Sequence, residues 1–259
     1  MNYFIDTEFV EGTQKKLFGK ITKPTIDLIS IGIVADDGRE YYAISKEFNV
    51  REAWNRYDLR QDKSLKDGGK TYKYYWLREN VLRPIFNELS NRYMVETEPV
   101  ADSKIYSRLQ SELFNPSSLR TLLELYGKTN KQIADDILRF TTSEAIEKRY
   151  HDALLDKPLL ESLIMPTFYG YYADYDWVVF CWLFGKMNNL PSYYPMYCRD
   201  LKQMIDEKAE GFAKAKHCNP DQVLKELKSS STYPKEVNVH NALGDARWTK
   251  QLFDFISTI

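Results

Sequence analysis

Cysteine is scarce in this sequence: Cys181, Cys198 and Cys218 lie scattered, with no CxxC pair, in a chain of 259 residues. An odd, unpaired count argues against a disulfide framework and fits a reducing compartment, so the expected location is the cytoplasm. Glycine and proline are few, at 11 and 10, against 43% hydrophobic residues. That composition excludes a collagen-like, low-complexity or disordered chain. Long apolar runs are missing: the longest, from Trp177 to Phe184, is eight residues and is closed by Gly185, less than half of what a membrane-spanning helix needs. The first residues, Met1 to Asp6, carry neither a basic region nor an apolar stretch of signal length. Neither sign of charge dominates, with 36 Lys+Arg against 37 Asp+Glu and a pI near 6.4. A protein that holds nucleic acid by bulk positive charge is thereby excluded, whereas an enzyme that grips phosphates through local cations or metals is not.

What is present reads as an α/β protein. Residues 2–8 alternate well enough for a short strand ending in Asp6-Thr7-Glu8, with Tyr3 and Ile5 opposite Phe4 and Asp6. A polar, lysine-bearing loop is expected over 11–24. Residues 25–35 (TIDLISIGIVA) form a largely buried strand, and Asp37-Gly38 turns the chain into a returning strand over 39–45. Residues 74–89 carry apolar side chains near a 3.6-residue period, with Pro84 as a kink or boundary. Helices are expected over 118–126 and 130–140, the latter capped by Asn130. Further on come an aromatic strand over 166–173 and a helix over 174–187. A short strand at 196–198, a helix over 200–209 and an amphipathic helix over about 240–256 complete the chain. Segments near 47–73, 87–127 and 208–236 have mixed charge and no clean period; they read as insertions on one domain spanning 1–259. The architecture is a mixed sheet of about five strands flanked by helices, with largely helical insertions.

Three acidic groups stand out. Asp6 and Glu8, two apart in a strand, point to one face and, if buried, would repel unless a hard divalent cation sat between them; the alternative is a polar strand end whose acids face water. His240, five residues before Asp245, opens the last helix; histidine titrates near neutral pH and can take a proton from water, and aspartate is a metal ligand, the alternative being an exposed histidine near a helix start with an unrelated surface aspartate. Asp174 and Asp176 lie where the aromatic strand meets its helix, the kind of strand end at which open α/β sheets bind ligands. Asp174 can instead cap that helix, and Asp176 can answer its dipole. A zinc site at His217-Cys218 with Cys198 lacks paired-ligand spacing.

Together the three groups resemble the DEDDh family of 3′–5′ exonucleases of the ribonuclease H-like superfamily. The likeness is closest to the small exoribonuclease branch called ribonuclease AS, at YFIDTEFVE, LISIGIVADDGREYYAIS, WLRENVLRPI, YYADYDWVVFCWL, PMYCRDLKQ and HNALGDA. The resemblance implies a ribonuclease H-like fold. It further implies that Asp6, Glu8, Asp176 and Asp245 hold two divalent cations, Mg²⁺ or Mn²⁺, with His240 as the base. Asp176 is preferred to Asp174 because the family's acid directly follows an aromatic residue, here Tyr175. The implied reaction releases nucleoside 5′-monophosphates from single-stranded RNA 3′ ends, with adenylate preferred in that branch. A DNA exonuclease, or a non-catalytic nucleic-acid or protein-binding module on the same fold, are the alternatives.

The strand end must be gripped. Phe9, after Asp-Thr-Glu, matches the place where the family sets an apolar side chain against the terminal base. Lys15 and Lys16 belong, with Lys20 and Lys23, to the densest local run of cations and are candidate phosphate contacts. Arg56, Arg60, Lys63, Lys66, Lys70 and Lys73 are interleaved with Asp58, Asp62 and Asp67, which cancel most of their field. The insertions are candidates for a homodimer interface or a substrate clamp; no membrane partner is expected.

Overall fold

In the computed structural model, residues 1–15, 22–61, 71–97, 113–142, 165–235 and 240–259 are described. The framework is a mixed five-stranded sheet in the order β3-β2-β1-β6-β7, flanked by helices. Its strands are β1 (Asn2–Lys15), β2 (Thr22–Ala35), β3 (Glu40–Ile44), β6 (Thr167–Gly170) and β7 (Arg199–Asp200).

The β2–β3 connection is built as its sequence dictates. Gly38, at φ 85°, takes the left-handed position that other residues avoid. Ala35 N–H donates to the Arg39 carbonyl at 2.9 Å and Ser45 N–H to the Ile29 carbonyl at 2.8 Å, the constant register of an antiparallel pair. Asp36 N–H donates to the Asn2 carbonyl, so the end of β2 lies beside the start of β1. The remaining strands are parallel: Asn2, Tyr3 and Phe4 of β1 face Thr167, Phe168 and Tyr169 of β6, and Tyr169 and Gly170 face Arg199 and Asp200 of β7.

Two compact units are distinguished, one of residues 1–7, 30–43 and 130–259 and one of residues 8–29 and 44–129; β1 and β2 run through both. In the first unit, the strict alternation of β1 feeds two apolar layers. Phe4 joins Tyr169, Leu201, Ile205, Ala246, Leu252 and Ile256 on one face, a layer supplied by α6 (Leu201–Lys216) and α8 (Ala242–Thr258). On the other face Tyr3 meets Phe168 and Phe140, and Phe168 meets Trp177, Phe180 and Tyr194, with ring centroids 5.0–5.9 Å apart. Phe140 rides on α4 (Asn130–Thr141), and Trp177 and Phe180 on α5 (Asp174–Leu183).

The second unit holds α1 (Val50–Asn55), an antiparallel pair of β4 (Asp58–Gln61) and β5 (Thr71–Tyr74), α2 (Arg83–Thr97) and α3 (Pro116–Tyr126). Pro84 has no N–H to give the preceding turn, and the chain before it, Arg78–Leu82, winds as a π-helix. Asn115 caps α3 by accepting from the Ser117 and Ser118 amides, with Pro116 in its first turn. Phe114 packs against Trp54 and Phe86.

Several boundaries differ from the expectations. β1 runs on through Lys15 and β2 starts at Thr22, so most of the expected 11–24 loop is strand: Val10 is buried and continues the alternation. The short strand lies at 199–200, not 196–198, and the helix after it extends to Lys216. An additional helix, α7 (Pro220–Lys228), occupies the stretch that read only as polar. Among the described residues no helix is long and apolar enough to cross a membrane.

Candidate active site

Asp6, Thr7 and Glu8 sit in the middle of β1, not at its end. Their neighbour β6 pairs only as far as Phe4 and stops at Gly170. The three residues therefore run past the carboxyl end of a parallel strand, where the sheet leaves backbone groups for other partners. Alternation puts Asp6 and Glu8 on the Phe4 face and Thr7 on the opposite one. Asp6 is half-buried, and Thr7 and Glu8 are 5% and 9% exposed.

The third acid is brought to this strand by α5. Thr7 donates its backbone N–H (2.9 Å) and its hydroxyl (2.5 Å) to Oδ1 of Asp176. Asp176 is buried, whereas Asp174 is exposed in the first turn of the helix. The cap of α5 is Ala173, not Asp174, so the capping alternative for Asp174 is corrected. Burial pushes the Asp176 carboxyl up to about 6 even though both Thr7 hydrogen bonds pull it down; the nearby Asp200 charge adds to the rise.

Asp200 was expected only as the start of a helix. It does cap α6, accepting from Lys202 N–H at 2.7 Å. It also accepts from the Tyr172 and Ala173 amides at 3.2 and 3.3 Å, pinning the turn that leads into Asp176. Helix-start chemistry was readable at this position; the second grip, 28 residues back, was not.

His240 and Asp245 open α8. Asn241 caps the helix by accepting from Gly244 N–H, and His240 takes a left-handed backbone, φ 67°. The His240 amide donates to Oδ2 of Asp245 at 2.9 Å, so the acid fixes the residue that carries the imidazole. Gly32 of β2 lets this helix start approach the sheet: a Cβ there would lie 2.3 Å from the Ala242 carbonyl oxygen and 2.4 Å from the Leu243 nitrogen. His240 and Asp245 each offer a ligand atom, and these atoms lie within 4.8 Å of each other. A carboxylate and an imidazole in that span can contribute to holding a divalent cation. Asp6 and Asp176 lie apart from that pair, Asp176 being joined to the strand of Asp6 through Thr7.

Phe9 is half-buried and lines a cavity of about 170 Å³ with Val10, Glu11, Arg56, Tyr57, Asp58, Trp76 and Leu77. Arg56 pairs with Glu11, Lys73 lies 4.2 Å above the Tyr57 ring and Arg60 3.7 Å above that of Tyr74. Lys16, and the side chain of Lys15, lie outside the described residues, as do Lys20, Lys63, Lys66 and Lys70; Lys23 is exposed. Cys218 is exposed, and His217 is the left-handed cap ending α6.

No family model matches the chain. Two curated proteins from Mycobacterium tuberculosis, each named a 3′-5′ exoribonuclease, are similar to it along its whole length. The relative from strain ATCC 25618 / H37Rv is 26% identical over 258 residues, covering 100% of this chain and 94% of the relative. The relative from strain CDC 1551 / Oshkosh gives the same figures.

Proposed function

We propose that this protein is a metal-dependent 3′–5′ exoribonuclease that shortens single-stranded RNA one nucleoside 5′-monophosphate at a time, with adenylate the favoured terminal residue. The observation that carries this reading is the pair of hydrogen bonds from Thr7 to Asp176, which joins a third carboxylate to the strand bearing Asp6 and Glu8. The full-length similarity to proteins named 3′-5′ exoribonuclease supports it.

In this reading Asp6, Glu8 and Asp245 would hold one cation, and Asp6 and Asp176 would hold a second. A pair of Mg²⁺ or Mn²⁺ ions so held supplies charge to stabilise the attacking and leaving oxygens of an in-line displacement. His240 accepts the proton of the attacking water, its position set by the Asn241 cap and the amide bond to Asp245. The water oxygen bonds to phosphorus, the bond to the 3′ oxygen breaks, and that oxygen takes a proton from solvent to become the new 3′-hydroxyl of the shortened strand. Phe9, with Tyr57 and Trp76 around its cavity, takes the terminal base by apolar contact and stacking. Lys15 and Lys16 contact phosphates near the strand.

Incubation of end-labelled RNA and DNA oligomers with Mg²⁺, Mn²⁺ or EDTA tests the proposal. It requires a ladder shrinking from the 3′ end of RNA in either metal and none in EDTA. Equal trimming of DNA would overturn the RNA assignment, and trimming that persists in EDTA would overturn metal dependence.

A further inference from the structure

Three described residues other than glycine have a left-handed backbone: Tyr172, His217 and His240. His217 ends a helix, a common use of that conformation, and His240 belongs to the candidate site. Tyr172, at φ 56°, has no such explanation. Glycine adopts this geometry freely and bulky side chains avoid it. The strain is held in place from outside, by the Asp200 carboxylate that accepts the Tyr172 amide.

The tyrosine ring adds little to the core in return. Tyr172 is 62% exposed and meets the Tyr171 ring edge-on at 4.8 Å, and Tyr171 in turn meets Trp248 at 5.0 Å. The ammonium of Lys202, paired with Asp206, lies 5.9 Å from the Tyr172 ring. Tyr172 stands two residues beyond Gly170, the end of β6, and four before Asp176. A residue kept in a sparsely populated conformation beside a site, with its side chain largely exposed, points to a ligand for that ring.

We propose that Tyr172 is a substrate-contacting residue, its ring a platform on which a nucleobase of the bound single strand stacks. Every base has a π-face, so such a platform grips RNA without reading its sequence. This inference deepens the exoribonuclease reading and rests on it.

Strain and binding pull apart in the test. Tyr172→Gly, Tyr172→Ala and Tyr172→Phe are compared with the parent for affinity toward a labelled RNA oligomer, with Ca²⁺ replacing Mg²⁺ to hold back hydrolysis, and for melting temperature. Stacking of one base implies weakening by roughly 5- to 150-fold in the Gly and Ala variants, with Tyr172→Phe retaining parental affinity. Tyr172→Gly should melt at or above the parent temperature, since glycine relieves the backbone. Tyr172→Gly with parental affinity, or with a lowered melting temperature alongside lost affinity, would overturn the stacking role while leaving the exoribonuclease reading intact. Loss of affinity in Tyr172→Phe would overturn it as well. A parent protein that neither binds nor shortens RNA would overturn both.

Discussion

Thr7 gives two hydrogen bonds to a single oxygen of Asp176, 169 residues away in the chain. The amide that would continue the ladder to β6 is available because β6 has already ended, and α5 fills the gap with a carboxylate. A strand terminus thus becomes the fixing point for a buried acid. Thr7→Val keeps the amide bond and removes the hydroxyl. It should destabilise the fold by about 1.5–3 kcal/mol, the range for a hydrogen bond to a charged group, and lower RNA hydrolysis. Asp176→Asn should abolish hydrolysis while remaining folded. Denaturant unfolding beside activity measurements checks both.

Asp176 also sets a pH dependence. Its folded carboxyl titrates near 6, above the ordinary 3.8, chiefly because it is buried. Between about pH 4 and 6 the folded protein therefore keeps a proton that the unfolded chain has released. This group's contribution is fully present below pH 4 and is lost as pH rises toward 6, by up to about 3 kcal/mol. In EDTA, the difference in unfolding free energy between the parent and Asp176→Asn should fall across that window. Saturating Mg²⁺ should remove the fall, because a bound cation favours the carboxylate.

Gly32→Ala should be among the most damaging single-methyl changes. The new Cβ would overlap the backbone of Ala242 and Leu243, which cannot swing aside as a side chain can. Overpacking of this kind costs about 1–3 kcal/mol. Displacing the start of α8 moves His240 and Asp245, so activity should fall further than stability in thermal melts and assays run together.

His240→Ala should leave the far-ultraviolet spectrum unchanged and slow hydrolysis by about 10²–10⁴-fold, the usual worth of a general base. A variant that turns over at the parental rate would remove His240 from the base role.

Thiol labelling separates the cysteines. Cys218 is exposed, Cys181 is pushed up to about 11 by burial, and Cys198 is raised by burial and by the charges of Asp176 and Asp200. Since the thiolate is the reactive form, Cys218 should react first with a thiol reagent at pH 8. The other two should react in step with unfolding.

How much of this was legible depended on whether the signal was local. The β2–β3 hairpin was readable because Asp37-Gly38 encodes its own turn, and α8 because the apolar spacing of Leu243, Ala246, Leu252, Phe253 and Ile256 defines a face. Pro84 was readable as a kink or boundary, and the structure places a π-helical turn just before it. Asn219-Pro220 carried a cap and a first-turn proline for α7, but the polar residues around Val223, Leu224 and Leu227 masked its apolar face. Non-local partners left no trace. Nothing near Thr7 announces Asp176, nothing near Asp200 announces Tyr172, and the need for glycine at position 32 appears only once a helix terminus lies against it. The chemistry of the acids was readable from residue types; the means by which they are held was not.

Calorimetric titration of Mn²⁺ into metal-free protein, and into Asp176→Asn and Asp245→Asn, tests the central claim most directly. The account predicts saturable binding to the parent and weakened binding to each variant, in step with lost RNA hydrolysis. A parent that shortens RNA without binding a divalent cation, or variants that bind Mn²⁺ as the parent does, would contradict it.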